Sequence, residues 1–183
     1  MLGLDVIKQL LPHRNPFLMV DSIKGYKSSE KPILYAERKI RKTEPVFHFS
    51  EKQTLDWPFI YVLEGLGQSC NLLGILRAIE LNFNSKDLAA KDIFKLFTDN
   101  MDPGKESKVQ QSITEDIIRK FARIGMLASV DVEIVDQAKT GDLIQYEVEQ
   151  TLSYAEFYHY SVNARTAEKT IIKGTMVGAL GAI

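Results

Sequence analysis

The segment Asp56–Leu81, DWPFIYVLEGLGQSCNLLGILRAIEL, constrains this chain more than any other. Between Asp56 and Arg77 it carries one formal charge, Glu64, and its other strongly polar side chains are Gln68, Ser69 and Asn71. The pattern predicts a helix that is apolar around most of its circumference, and such a helix is stable only when buried. Asp56 is placed to cap it and Pro58 suits its first turn. Glu64 and Gln68, four apart, share one face. Gly65, Gly67 and Gly74 each weaken a helix, which predicts close approach of another backbone. Glu, Gln, Ser and Asn within the run argue against a membrane span.

Burying such a helix requires a core of matching size. At 183 residues the chain is expected to form one domain over 1–183. Lys and Arg number 23 against 24 Asp and Glu, so no charge bias points to nucleic acid or a membrane surface. Cys70 is the only cysteine, which excludes an intrachain disulfide and a zinc cluster, and its place in the apolar run predicts a packed thiol. No metal and no cofactor are expected. The opening MLGLDVIKQLLPHR lacks a basic start and a small-residue cleavage site, so a cytoplasmic location is expected.

Along the chain, Leu4, Val6, Ile7, Leu10 and Leu11 repeat at helical spacing and stop against Pro12. FLMVDSI and PILYAERKI have strand composition and flank the polar GYKSSEK. Residues 82–111 read as a surface insertion, with a short helical piece around Ile93–Phe97 and a loop at MDPGKES. Ser112 and Glu115 form a capping-box pattern ahead of a second amphipathic helix, ITEDIIRKFARIG. Four strand-like runs follow: LASVDVEIV, DLIQYEVEQTL, FYHYSVNA and TIIKGTMVGAL. In the second, Ile144, Tyr146 and Val148 alternate with Gln145, Glu147 and Glu149, as in a sheet with one buried face. The expected fold class is α+β, an antiparallel sheet around a long central helix.

This order resembles the hot-dog fold, and three stretches narrow the resemblance to the 3-hydroxyacyl-acyl-carrier-protein dehydratases of fatty acid synthesis. They are IKQLLPHRNPFLMVDSI, TEPVF, and the helix with Pro58, Glu64 and Gln68 at the family's spacing. The resemblance covers about two-thirds of the chain and skips 82–111. One departure stands out. Where the family has Gly-His-Phe-Pro-Gly, an ungapped alignment puts Ser50 at the catalytic histidine, Lys52-Gln53 at Pro-Gly, and Phe59 at the glycine after the helix-opening proline. His48-Phe49 preserves a His-Phe pair two residues early. On a regular strand that offset amounts to roughly 6–7 Å.

Dehydration of a 3-hydroxyacyl thioester needs a base for the C2 proton, an acid for the leaving hydroxyl and donors for the enolate oxygen. The resemblance implies a histidine and a carboxylate working across a dimer interface, with backbone N–H groups at the helix N-terminus on the thioester carbonyl. It assigns the carboxylate to Glu64 and leaves His48 as the nearby imidazole, with Phe47, Phe49, Trp57, Pro58, Phe59 and Gln68 as substrate-binding residues. His13 is read as structural in its turn, and His159 as a strand-face residue. The implied partners are an acyl thioester on acyl carrier protein or coenzyme A, and further copies of the chain as a dimer or a trimer of dimers. Two other readings stay open. One is an acyl-binding hot-dog protein without activity, or one half of a heterodimer with an active paralogue. The other is an acyl thioesterase, against which the N-terminal signature argues.

Overall fold

The computed structural model describes residues 1–48, 55–83 and 125–180. The elements run α1 (Leu4–Leu10), β1 (Ser22–Lys27), β2 (Ile33–Lys39), a 3-10 turn (Pro45–Phe47), α2 (Phe59–Phe83), β3 (Gly125–Ile134), β4 (Leu143–Tyr154), β5 (Phe157–Arg165) and β6 (Thr170–Leu180). All strands pair antiparallel in one six-stranded sheet, in the order β1-β2-β4-β5-β6-β3. The sheet wraps α2, which lies against β2, β3, β4, β5 and β6. This is the expected α+β hot-dog arrangement.

The core forms where the apolar helix meets the apolar face of the sheet. Val62, Leu66, Leu72, Leu73, Leu76 and Ile79 of α2 are fully buried, as are Ile144, Tyr146 and Val148 of β4. Each such side chain contributes roughly 1.5–3 kcal/mol relative to exposure. By length and composition α2 could cross a membrane, but 61% of its most apolar window is buried inside the fold. At Gly65 a Cβ would collide with the phenol of Tyr146, so there the helix meets a side chain and not the backbone expected. Gly67 has open space around its Cβ position. At Gly174 in β6, a φ of +150° and the nearby Asp131 carbonyl of β3 leave no room for a side chain.

Two boundaries differ from the sequence reading. Helix α2 starts at Phe59, because Asp56 pairs with Lys139 and the Trp57 N–H donates to the Ala138 carbonyl at 2.8 Å. These contacts hold residues 55–57 against the loop before β4, and Asp56 does not act as the helix cap. The first strand starts at Ser22, although Leu18, Met19 and Val20 are buried. Their apolar run reflects burial under the helix and not strand pairing. Of the expected insertion, Asn82 and Phe83 complete α2. The helical piece around Ile93–Phe97 and the helix at Ile113–Gly125 fall outside the described residues, apart from Gly125, which opens β3.

Two polar clusters are buried with the core. Arg38 donates to both carboxylate oxygens of Glu44 at 2.8 Å and to Asp21 at 2.7 Å. At the far end of α2, Glu80 is 2% exposed and accepts from Tyr26 at 2.6 Å, from Arg77 at 2.7 Å and from Ser28. A buried carboxylate persists only when paired in this way. Burial pushes the Glu80 carboxyl up, but Ser28, Tyr26 and Arg77 outweigh it and hold the group below its ordinary 4.5. Burial likewise raises Asp21, and the Lys39 N–H with Arg41 and Arg38 brings it below 3.8. Both carboxylates are easier to ionise folded than unfolded, so their contribution is present above those ordinary values and is lost as pH falls through the lower folded ones. The thermal midpoint should therefore drop on acidification below about pH 5. Glu80→Gln should lower the midpoint at neutral pH and flatten that acid dependence. Melting curves between neutral and strongly acidic pH check both.

Candidate functional site

The segment between α1 and β1 has no regular structure, and one side chain of α2 organises it. Gln68, 1% exposed, accepts the Met19 N–H at 2.8 Å and donates to the Phe17 carbonyl at 2.6 Å and to Glu64 Oε1 at 2.8 Å. Its amide thus fills backbone positions that a strand partner would have filled. Arg14 closes the turn from the other side by donating to the Leu11 and His13 carbonyls at 2.8 and 2.7 Å. The Phe17 N–H donates to Arg14 at 2.8 Å. Together these contacts bring His13 over the first turns of α2.

His13 Nε2 lies 3.5 Å from Glu64 Oε1, with the two side chains 30% and 44% exposed. Both line a cavity of about 390 Å³ between the N-terminal half of α2 and the strands β3, β5 and β6. Its polar side is His13, Glu64, Gln68 and Asn71, and its apolar wall includes Ile60, Leu63, Met126, Leu127, Val130 and Met176. Gly67 faces the cavity without filling it. The Nδ1 atom of His13 is buried and has no hydrogen-bond partner among the described residues. In the neutral ring the proton is favoured on Nε2, because a lone pair there would lie 3.5 Å from the carboxylate oxygen, whereas Nδ1 is unpaired in either tautomer. That Nε2 lies beside the carboxylate without a direct hydrogen bond to it.

Cys70 also lines the cavity, but burial pushes its thiol far above the ordinary 9.0, so it is not a thiolate nucleophile. Among the described residues, no group of three His, Cys, Asp or Glu side chains is placed to hold a metal ion. The cavity offers one carboxylate, one imidazole N–H and an apolar wall. That set can bind an acyl chain and move a proton at its polar end.

The sequence-predicted residues divide into three groups. Glu64 and Gln68 meet at the cavity. Phe47 and Trp57 are buried instead in an aromatic stack below the start of α2, with Phe47–Trp57 centroids 5.6 Å apart and Trp57–Tyr61 centroids 5.0 Å apart. Pro58 is partly exposed and Phe59 is 47% exposed; neither lines the cavity. His48 ends the 3-10 turn on the surface and is not brought to Glu64. Phe49 and Ser50 fall outside the described residues. The structure adds His13, which sequence reasoning left in its turn. No periodicity links positions 13 and 64; the only pointer was a histidine in a proline-bounded segment too irregular to be a strand.

No family model matches the chain. A 3-hydroxyacyl-acyl-carrier-protein dehydratase of Oceanobacillus iheyensis is 30% identical over 144 residues, covering 76% of this chain and 96% of the relative. The dehydratase of Clostridioides difficile is 26% identical over 183 residues, 98% of each. The Aeromonas hydrophila dehydratase is 40% identical over 75 residues, which span 39% of this chain and 48% of that relative, about half its length. Among solved structures, the dehydratase heterocomplex ApeI:P of Xenorhabdus doucetiae superposes with a TM-score of 0.56 at 11% identity, covering 96% of this chain and 91% of that one. A hypothetical thioesterase with coenzyme A from Streptococcus pneumoniae gives 0.51 at 8% identity, covering 88% of each. At such identities these two likenesses speak to the fold alone.

If Gln68 builds the site, Gln68→Leu should strand the buried Met19 N–H and release Glu64. Unfolding measurements should show a loss of about 1–3 kcal/mol. Hydrogen exchange at Met19 should rise well before global unfolding.

Proposed function

The chain belongs to the 3-hydroxyacyl-acyl-carrier-protein dehydratase family, and from that premise we propose that it removes water from a 3-hydroxyacyl thioester, with Glu64 in the proton chemistry. The observation that carries this reading is the placement of Glu64: a carboxylate at the polar end of an otherwise largely apolar cavity, fixed by Gln68. The apolar wall takes the acyl chain and the open, polar end takes the thioester. The substrate is carried on acyl carrier protein or coenzyme A, the location is the cytoplasm, and the setting is fatty acid or related acyl-chain synthesis. The thioesterase alternative has less support, since the LPHR segment that resembles the dehydratases is the one that builds the polar end of this cavity.

A second reading rests on a specific observation. Ser50 stands where the family has its histidine, and within the single chain His48 is exposed and does not line the cavity; the second reading takes it that no partner chain delivers that imidazole to Glu64 either. Under this reading the chain binds acyl groups without turnover, or contributes to a heterodimer with an active paralogue.

The proposed partner in the first reading is a second copy of the chain. Strand β3 is the edge of the sheet beyond β6, and it exposes Met126, Leu127, Val130 and Ile134. An apolar edge strand of this length is a template for pairing with another chain.

The purified protein should hydrate a short 2-enoyl thioester, read by loss of the enoyl absorbance. Glu64→Gln should lower that rate by roughly 10²–10⁴ while leaving the thermal midpoint in place. An unchanged rate removes Glu64 from the reaction, and a wild type that binds the thioester without hydrating it favours the second reading. Sedimentation at micromolar concentration should give a dimer or a multiple of it, and lysine at Val130 should shift the mass toward the monomer.

A further inference from the structure

The reaction proposed above places two demands on one small region: a proton leaves C2 and a hydroxyl leaves C3, on adjacent carbons. When the two are on the same side of the C2–C3 bond, a single carboxylate reaches both. In the cavity Glu64 Oε1 is held by Gln68 and faces His13, which leaves Oε2 without a hydrogen-bond partner among the described residues. Beside it stands an imidazole whose Nε2 faces a carboxylate oxygen rather than a donor, which favours the ring proton on that nitrogen. That Nε2 is 3.5 Å from the carboxylate, so an oxygen seated against Glu64 is also within reach of the His13 N–H.

We propose that His13 and Glu64 of the same chain handle the substrate's 3-hydroxyl together, His13 as a hydrogen-bond donor through Nε2–H and Glu64 as the one proton carrier. This rests on the dehydratase reading. Glu64 takes the C2 proton, and the C2–H electron pair becomes the C2–C3 double bond as the C3–O bond breaks. The departing oxygen takes that same proton from Glu64 and leaves as water, which restores the carboxylate. His13 keeps its own proton throughout and stabilises the charge that builds on the oxygen as C3–O lengthens. The balance needs no second base, so neither Ser50 nor His48 has to act as one. The pairing also lies within one chain: His13 and Glu64 are joined by the turn and the Gln68 bridge described above.

A donor and a proton carrier respond differently to substitution, and the test uses that difference. Hydration of a short 2-enoyl thioester by the full chain should fall roughly 10²-fold in kcat for His13→Leu, with KM little changed. His13→Gln, whose amide can place an N–H where Nε2–H stood, should recover most of that loss. Nitrogen NMR of histidine-labelled protein, assigned with the His13→Gln variant, should show the Nε2–H tautomer for His13. A His13→Gln variant as slow as His13→Leu overturns the inference, because the ring would then be moving a proton or holding the fold. A signal for the Nδ1–H tautomer overturns it whatever the rates. If wild type turns over and His13→Leu matches it, the inference falls alone and the dehydratase reading stands. A wild type that turns over no enoyl thioester brings down that reading and the inference with it.

Discussion

The site depends on the side-chain amide of Gln68. Three hydrogen bonds leave it, two to the backbone of residues 17 and 19 and one to Glu64. A segment with two prolines and no strand partner cannot satisfy its own N–H and C=O groups under a helix. The amide satisfies two of them at once, which allows Leu18, Met19 and Val20 to be buried without pairing into the sheet. The same amide fixes the carboxylate rotamer at the mouth of the cavity. Folding of the loop and shaping of the site are therefore one event, governed by a residue that is itself almost fully enclosed.

The helix that carries Gln68 is held at both ends by polar contacts of different kinds. At its start, residues 55–57 are bound to the loop before β4: Thr140 donates its N–H to the Leu55 carbonyl at 2.8 Å and Gln137 donates to the Trp57 carbonyl at 2.6 Å. Toward its far end, Glu80 gathers Tyr26, Ser28 and Arg77. Between the two, apart from Gln68 and Glu64, α2 is packed mainly by apolar contact, which is non-directional. The polar ends supply the direction that a uniformly apolar helix lacks, setting where it sits along its own axis and which face Glu64 presents.

Much of this was legible in the sequence, for reasons that can be traced residue by residue. The buried helix announced itself by its missing charges, and β4 by the alternation of Ile144, Tyr146 and Val148 with charged and amide neighbours. Glu64 and Gln68 were visible as a pair because helical spacing is local. The start of α2 was misjudged because Asp56 has the chemistry of a cap while its backbone is taken by Lys139, a partner more than eighty residues away. His13 was left in its turn for the same reason: its approach to Glu64 is a contact across the fold, and nothing local distinguishes a histidine in a turn from one that lines a cavity. The aromatic residues Phe47 and Trp57 were given to the ligand, and within the chain they are buried against each other away from the cavity, a difference that residue type alone cannot show.

The cavity draws its two halves from distant parts of the chain. His13, Glu64, Gln68 and Asn71 all fall within the first 71 residues, whereas the strands contribute Met126, Leu127, Val130, Tyr160, Met176 and Gly178 from the last third. Under the proposed function, substitutions accumulating in the later strands can lengthen, narrow or bend the space for an acyl tail while the polar side chains stay as they are. Changes in the early segment are not separable in the same way, because Ile60, Leu63 and Cys70 of α2 line the space together with those strands. Under that function, tail preference can diversify through the strands without passing through loss of reactivity, whereas the opposite route runs through a helix that serves both.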